Sequence, residues 1–190
     1  MLGIAMTVII SMLRGVNLGP HNRIKMEALR ALYASLGLRN PQSYVQSGNV
    51  VFRTTAQDLA KLAERIEDGI EKGFGFRPNV ILRTTAELRE AIAKNPFAAR
   101  RDIEPGKLLV TFLSRDPGPE APEKIDALNG GPEELRLEGR ELYVYFPNGQ
   151  ARPQLKWAHV EKALKTEWTG RNWNTVRNLL EMAEKLEAVR

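Results

Sequence analysis

The sequence predicts an α+β protein built from two ferredoxin-like (βαββαβ-type) halves with antiparallel sheets, closed by a C-terminal amphipathic helix. The first half reads as strand, helix, two strands, helix and strand, which is the split order of ferredoxin-like folds. The second half repeats most of this order without a recognisable final strand, so we expect an imperfect repeat. From about Asn174, apolar residues recur at helical spacing, which predicts the terminal helix.

The first half, residues 1–84, opens on the apolar run TVIISML, which predicts a central strand at 7–13. After a Gly- and Asn-rich loop, helical spacing predicts a helix that ends near Gly37, with Asn22 as its cap. The run SYVQSGNVVF at 43–52 predicts a hairpin.

A second helix and a last strand complete this half. Thr55 and Asp58 form a capping-box pattern ahead of an amphipathic stretch that closes near Gly73 or Gly75. The strand is expected at about 78–83.

The second half, residues 85–190, is predicted from the same kinds of pattern. The linker-like stretch at 115–123 is too short to separate independent domains, so we expect one compact unit. The expected elements are helices at 86–93, 122–128 and 154–164, strands at 107–113, 135–137 and 141–146, and the terminal helix.

Composition excludes several classes of function. The chain has no cysteine, which excludes disulfides, thiolate nucleophiles and iron–sulfur ligation. The apolar opening stretch lacks a basic leader region, and Arg14 interrupts it far short of a membrane span. We interpret it as a buried strand and expect a cytoplasmic protein without a membrane partner.

Positive charge is concentrated in two segments of this chain, whose net charge is +5. Residues 1–53 carry a net charge of +5, residues 152–177 carry +4, and the remainder carries −4. Such segments attract phosphate-bearing partners, although they are equally typical of a solvated surface on a basic protein.

The first candidate site is the loop from Arg14 to Lys25. Gly15 and Gly19 permit close backbone approach, Asn17 is polar, and three cations, Arg14, Arg23 and Lys25, are available for an anion. The loop contains neither a Walker motif nor GxGxxG. A turn closed by glycines with an asparagine cap explains the same residues equally well.

Two further motifs concentrate polar residues, one inside an otherwise apolar hairpin and one beside a tryptophan. Ser47, Gly48 and Asn49 lie in the hairpin, where a turn or bulge also accounts for them. Before the terminal helix, Arg171 and Trp173 are suited to bind an anion and a ring, whereas capping and packing are the structural alternative. The candidates in this third motif are Arg171, Asn172, Trp173 and Asn174.

No metal site or cofactor is predicted. The two histidines, His21 and His159, cannot form an ordinary zinc set, and the acidic residues lie mainly on charged helix faces.

Five motifs in order resemble the domain of unknown function 1697 family. They are MLRGVNLGPHNRIKMEALRALYASLG, YVQSGNVVF, Asn95-Pro96-Phe97, the segment 142–147 and RNWNTVRNLL. The resemblance covers nearly the whole chain from about Met6, and it implies a duplicated ferredoxin-like fold without an established activity. The residues that match the family motifs are Arg14, Gly15, Asn17, Lys25, Met26, Ser47, Gly48, Asn49, Pro96, Phe97, Arg171, Asn172, Trp173 and Asn174.

The chain departs from the family pattern after the strand that contains Tyr143. Relatives tend to show a glycine-rich turn leading into Ser-Lys-Leu, whereas this chain reads NGQARPQL at 148–155, with Lys156 as a shifted counterpart of the lysine.

Three functions remain open at this stage. The leading hypothesis is a protein that binds an anionic small molecule, such as a nucleotide, or a nucleic acid. The alternatives are an enzyme in which Arg14, Lys25, Asn49 and Arg171 orient a small phosphorylated or carboxylated substrate, and a protein-interaction module. The sequence does not decide between enzyme and binding protein, and it gives no oligomeric state.

Overall fold

A computed structural model describes residues 5–189, which fall into two compact units. Unit 1 holds the residues up to 89 and those from 178 onward, and unit 2 holds residues 90–177. The first four residues of the apolar opening stretch lie outside the described residues. The predicted halves, 1–84 and 85–190, stay a prediction of domain organisation.

Unit 1 has the predicted βαββαβ order. Its sheet has the strand order β2-β3-β1-β4, and each neighbouring pair is antiparallel. The elements are β1 (Thr7–Leu13), α1 (Met26–Ser35), β2 (Arg39–Tyr44), β3 (Asn49–Thr54), α2 (Leu59–Phe74) and β4 (Val80–Thr84). Helix α3 (Thr85–Ala93) follows β4.

The core of unit 1 lies between this sheet and the apolar faces of α1 and α2. Phe52 and Tyr33 are fully buried and meet edge to face, with ring centroids 5.4 Å apart. The Tyr33 hydroxyl forms a 2.8 Å hydrogen bond with Ser11 on β1, so this buried polar pair is satisfied.

Two predicted helix caps in unit 1 are wrong. Asn22 does not cap α1, because α1 begins at Met26 and Asn22 adopts a left-handed backbone with φ 55°. The capping-box pattern of Thr55 and Asp58 reduces to Asp58 alone, whose carboxylate accepts a hydrogen bond from Lys61 N at 3.1 Å. The predicted stop at Gly75 is confirmed, since Gly75 caps α2 with φ 79°.

Unit 2 repeats the topology of unit 1. Its sheet has the order β6-β7-β5-β8, again with antiparallel neighbours. After a 3₁₀ turn at Pro105–Lys107 come β5 (Leu108–Leu113), α4 (Ala121–Asp126), β6 (Glu134–Glu138), β7 (Glu141–Tyr145), α5 (Trp157–Leu164) and β8 (Trp168–Asn172). Helix α6 (Trp173–Ala188) follows, and its residues from 178 onward are counted with unit 1.

The expectation of an imperfect second repeat is therefore wrong, because β8 supplies the missing strand. Gly170 and Asn172 are of residue types depleted in strands, and the conformation of this segment comes from pairing with β5, in which Val110 faces Arg171 and Leu109 faces Asn172. The predicted amphipathic helix follows directly as α6. No helix in the described part of the chain is long and apolar enough to span a bilayer.

Candidate functional site

Two of the predicted motifs meet at one end of the unit 1 sheet. The loop at 14–25 leaves the end of β1, and the turn at 45–48 joins β2 to β3 beside it. Leu13 N donates to Gly48 O at 3.0 Å, which fixes the turn against the last residue of β1. We call residues 14–25 and 45–48 together the loop–turn surface.

Asn17 holds the loop and the turn together. Its Nδ2 donates to Gln46 O at 2.7 Å and to Ile24 O at 2.9 Å, while its Oδ1 accepts from Ile24 N at 2.9 Å. Its backbone has φ 58°, a left-handed conformation that asparagine tolerates better than most residues. Both atoms of the side-chain amide are therefore hydrogen-bonded to the protein's own backbone.

The turn residues are also used structurally. Gly48 is buried with φ 74°, and a Cβ built there would lie 2.9 Å from Leu13 Cβ. Asn49 is fully buried at the start of β3, where its Nδ2 donates to Tyr44 O at 3.1 Å and to Ser47 Oγ at 2.9 Å. Two of these predicted ligand-binding groups are thus buried and hold the turn in place.

The cations of the loop face outward. Lys25 and Arg23 are exposed, and Arg14 is half-buried. The Arg23 Nε donates to Gly19 O at 3.0 Å, which leaves the rest of its guanidinium at the surface. Gly15 is exposed with φ 72° and has no atom within 4 Å of its Cβ position, so it supplies a bend rather than a close contact.

Large apolar side chains accompany these cations. Leu18 is 82% exposed and Val45 is 50% exposed. They flank the hydrogen bond between Asn17 and Gln46, one on each segment. Val45 also has φ 50°, a rare conformation for a β-branched residue.

The third predicted motif lies in unit 2 along β8 and the start of α6. Arg171 is only 7% exposed, and its Nη1 donates to Thr169 Oγ1 and to Gly170 O, both at 2.8 Å. Burial lowers the pKa of Arg171 to about 10, because desolvation penalises the charged guanidinium.

The residues after Arg171 tie this strand to its neighbours. Asn172 Nδ2 donates to Gly106 O at 2.8 Å, and Asn172 Oδ1 accepts from Asn174 N at 3.0 Å at the start of α6. The side chain of Asn172 therefore caps the start of α6, and Asn174 contributes only its backbone N–H to this hydrogen bond. Trp173 is half-buried.

The predicted site residues therefore form two groups. Arg14, Gly15, Asn17, Lys25, Ser47, Gly48 and Asn49 all belong to unit 1, in the loop and around the turn. Arg171, Asn172, Trp173 and Asn174 belong to unit 2. Within residues 5–189, no group of three or more acidic or histidine side chains is placed to hold a metal ion.

Sequence reasoning missed a cavity of about 340 Å³ in unit 2. It is lined by residues within 128–135 and by residues within 154–159, including Glu133, Lys156 and His159. Gln154, Leu155 and Lys156 lie in or next to the segment that departs from the family pattern. A second, mostly apolar cavity of about 500 Å³ shares Leu128 and His159 with the first.

Glu133 in the sequence NGGPEEL gave little signal, because an acidic residue after Gly-Gly-Pro resembles a solvated turn. In the structure it is 6% exposed. Its burial depends on residue 154, which is distant in sequence, since Glu133 Oε1 accepts from Gln154 N at 2.8 Å.

Comparison with known proteins gives a family and a fold. The model of a protein family of unknown function, DUF1697, matches residues 6–143. No curated protein matches the chain. Among solved structures, the conserved bacterial protein SP0830 from Streptococcus pneumoniae is similar, with a TM-score of 0.69 and 22% sequence identity, over 94% of this chain and 99% of that chain. At this identity the likeness shows the fold alone.

Proposed function

The chain belongs to the DUF1697 family of proteins of unknown function, and from this premise we propose that it binds a phosphate-bearing ligand, a nucleotide or a nucleic acid, at the loop–turn surface of unit 1. The proposal rests on the observation that some motif residues fix the backbone of this surface while others expose positive charge on it. Asn17, Gly48 and Asn49 hold the backbone, while Arg23 and Lys25 are displayed to solvent.

The charge of this surface favours an anion. Between residues 14 and 48 the only acidic side chain is Glu27, so little negative charge in this stretch competes for the cations. Exposed lysine and arginine side chains on a loop of fixed shape form ion pairs with phosphates and release counterions on binding.

The apolar residues favour a ligand that carries a base rather than a bare phosphate. Leu18 is 82% exposed and Val45 is 50% exposed beside the cations, and apolar side chains can pack against the faces of bases. The left-handed backbone at Val45 costs about 1–3 kcal/mol, and strain of this kind is concentrated at binding sites.

The enzyme alternative gains no support from the positions of its residues. Asn49 is buried and donates to Tyr44 O and Ser47 Oγ, and Arg171 is buried in unit 2. To orient a small substrate, the side chains of Asn49 and Arg171 would have to be accessible to that substrate.

The test is a comparison of two double charge reversals in unit 1. Arg23→Glu/Lys25→Glu changes the loop–turn surface, and Arg39→Glu/Lys61→Glu makes the same change in net charge at the opposite end of the sheet, where β2 and α2 begin. Binding of fluorescent single-stranded DNA and RNA oligomers and of a fluorescent ATP analogue is followed by anisotropy at several salt concentrations.

We expect the loop variant to weaken binding by about tenfold or more and to lower the salt slope by about 1 to 2, while the control binds like the wild type. Equal effects of both variants would indicate nonspecific attraction and overturn the proposal, as would the absence of binding by the wild type. Lys25→Glu alone guards against misfolding, because an acidic residue before the first turn of α1 favours the helix.

A further inference from the structure

The 340 Å³ cavity of unit 2 contains a buried carboxylate with an unused oxygen. Glu133 is 6% exposed and lines the cavity. Its Oε1 accepts from Gln154 N at 2.8 Å, and within residues 5–189 its Oε2 has neither a hydrogen-bond donor nor an ion-pair partner. A carboxylate oxygen that faces a cavity without a donor is suited to a cationic partner, because hydrogen bonds from charged donors to carboxylates are the strong ones.

Lys156 brings a positive charge to the lining of the same cavity. Lys156 and His159 line it, and Lys156 is the residue before α5, whose first turn has no side-chain cap. The unpaired N–H groups and the dipole of a helix start favour an anion, and the Lys156 ammonium adds to this field. Among the described residues, Lys156 forms no ion pair with Glu133.

Opposite charges therefore line one cavity without pairing. The lining also includes Leu128, Leu135 and Leu155, and the volume lies at the lower end of the range for small-molecule sites. We propose that this cavity binds a small zwitterion of the amino-acid class, with its ammonium on Glu133 and its carboxylate at the start of α5. The leucines would contact an aliphatic side chain. This site is separate from the loop–turn surface, so either proposal can fail alone.

Two adjacent glycines provide a matched pair of variants. A Cβ at Gly131 would lie 3.3 Å from Glu133 Oε2, in the space that the ligand ammonium would occupy. A Cβ at Gly130 would have no atom within 4 Å. Neither glycine has a positive φ, so alanine fits the backbone at both positions. Gly131→Ala should block the site, and Gly130→Ala should leave it open.

The experiment is isothermal titration calorimetry of the full chain with each standard L-amino acid, supported by thermal shift at millimolar ligand. We expect at least one aliphatic amino acid, such as L-leucine or L-methionine, to bind with a stoichiometry of one. Its N-acetyl derivative, which lacks the ammonium, and its amide, which lacks the carboxylate, should each bind about tenfold or more weakly.

The variants then assign the binding to this cavity. Glu133→Gln retains a carbonyl oxygen for Gln154 N but removes the charge, so affinity should fall about tenfold or more. Gly131→Ala should lower it to a similar extent, and Gly130→Ala should match the wild type. Absence of binding by every standard amino acid would overturn the proposal. Undiminished binding by Glu133→Gln and Gly131→Ala would overturn it too, because the ligand would then lie elsewhere.

Discussion

Replacement of Gly48 by alanine would show how tightly the turn of unit 1 packs against β1. Gly48 has φ 74°, and a Cβ there would lie 2.9 Å from Leu13 Cβ and 3.4 Å from Val16 Cβ. The left-handed backbone costs an alanine about 1–2 kcal/mol. The overlap with buried side chains adds about 1–3 kcal/mol. We therefore expect Gly48→Ala to lower the free energy of unfolding by about 2–5 kcal/mol.

Gly15→Ala separates these two contributions. Gly15 has nearly the same backbone conformation, with φ 72°, but no atom lies within 4 Å of its Cβ position. It should lose only the backbone part, about 1–2 kcal/mol. Urea denaturation followed by far-ultraviolet circular dichroism gives both values. Equal losses in the two variants would refute the claim that the turn is held by close contact with Leu13 and Val16.

Two further predictions concern Asn17 and Asp58. Asn17→Ala removes three hydrogen bonds and should destabilise the protein by about 2–4 kcal/mol in urea. Asn22→Ala, which changes an exposed residue of similar φ, should cost about 1 kcal/mol, and an equal cost would contradict the role of the Asn17 amide. The hydrogen bond from Lys61 N lowers the pKa of the Asp58 carboxyl below its ordinary value of 3.8, so the ionised cap stabilises the fold above that pH. The stability gap between wild type and Asp58→Ala should therefore close as the pH falls below about 4, and a gap that is constant with pH would contradict this account.

Most of the fold could be predicted because its signals are local. The unbroken apolar run of β1 and the spacing of Leu62, Ile66 and Ile70 in α2 each determine one element without help from distant residues. The strand β8 could not be predicted in the same way. Its Thr-Gly-Arg-Asn sequence is typical of a loop, and only the pairing with β5 makes it a strand.

The loop and the turn could be predicted in position, while their role as a binding site stays a prediction. Sequence identified the loop and the turn, yet it could not show whether Asn17 and Asn49 face a ligand or the backbone. That distinction depends on contacts between the loop and the turn, such as the one from Asn17 to Gln46. The cavity at Glu133 was missed because residues far apart in sequence, at 131–133 and at 154, create it.

The division of the chain has a consequence for protein synthesis. Unit 1 includes the residues from 178 onward, where Arg53 donates to the carbonyls of Leu186 and Val189 and Arg89 pairs with Glu184. All of unit 2 is therefore translated between the two parts of unit 1, a delay of several seconds at roughly 5–20 residues per second. A nascent chain at this stage holds every strand of the first sheet but lacks its closing helical segment. Unit 1 can therefore form its contacts with Glu184, Leu186 and Val189 only after unit 2 has been synthesised.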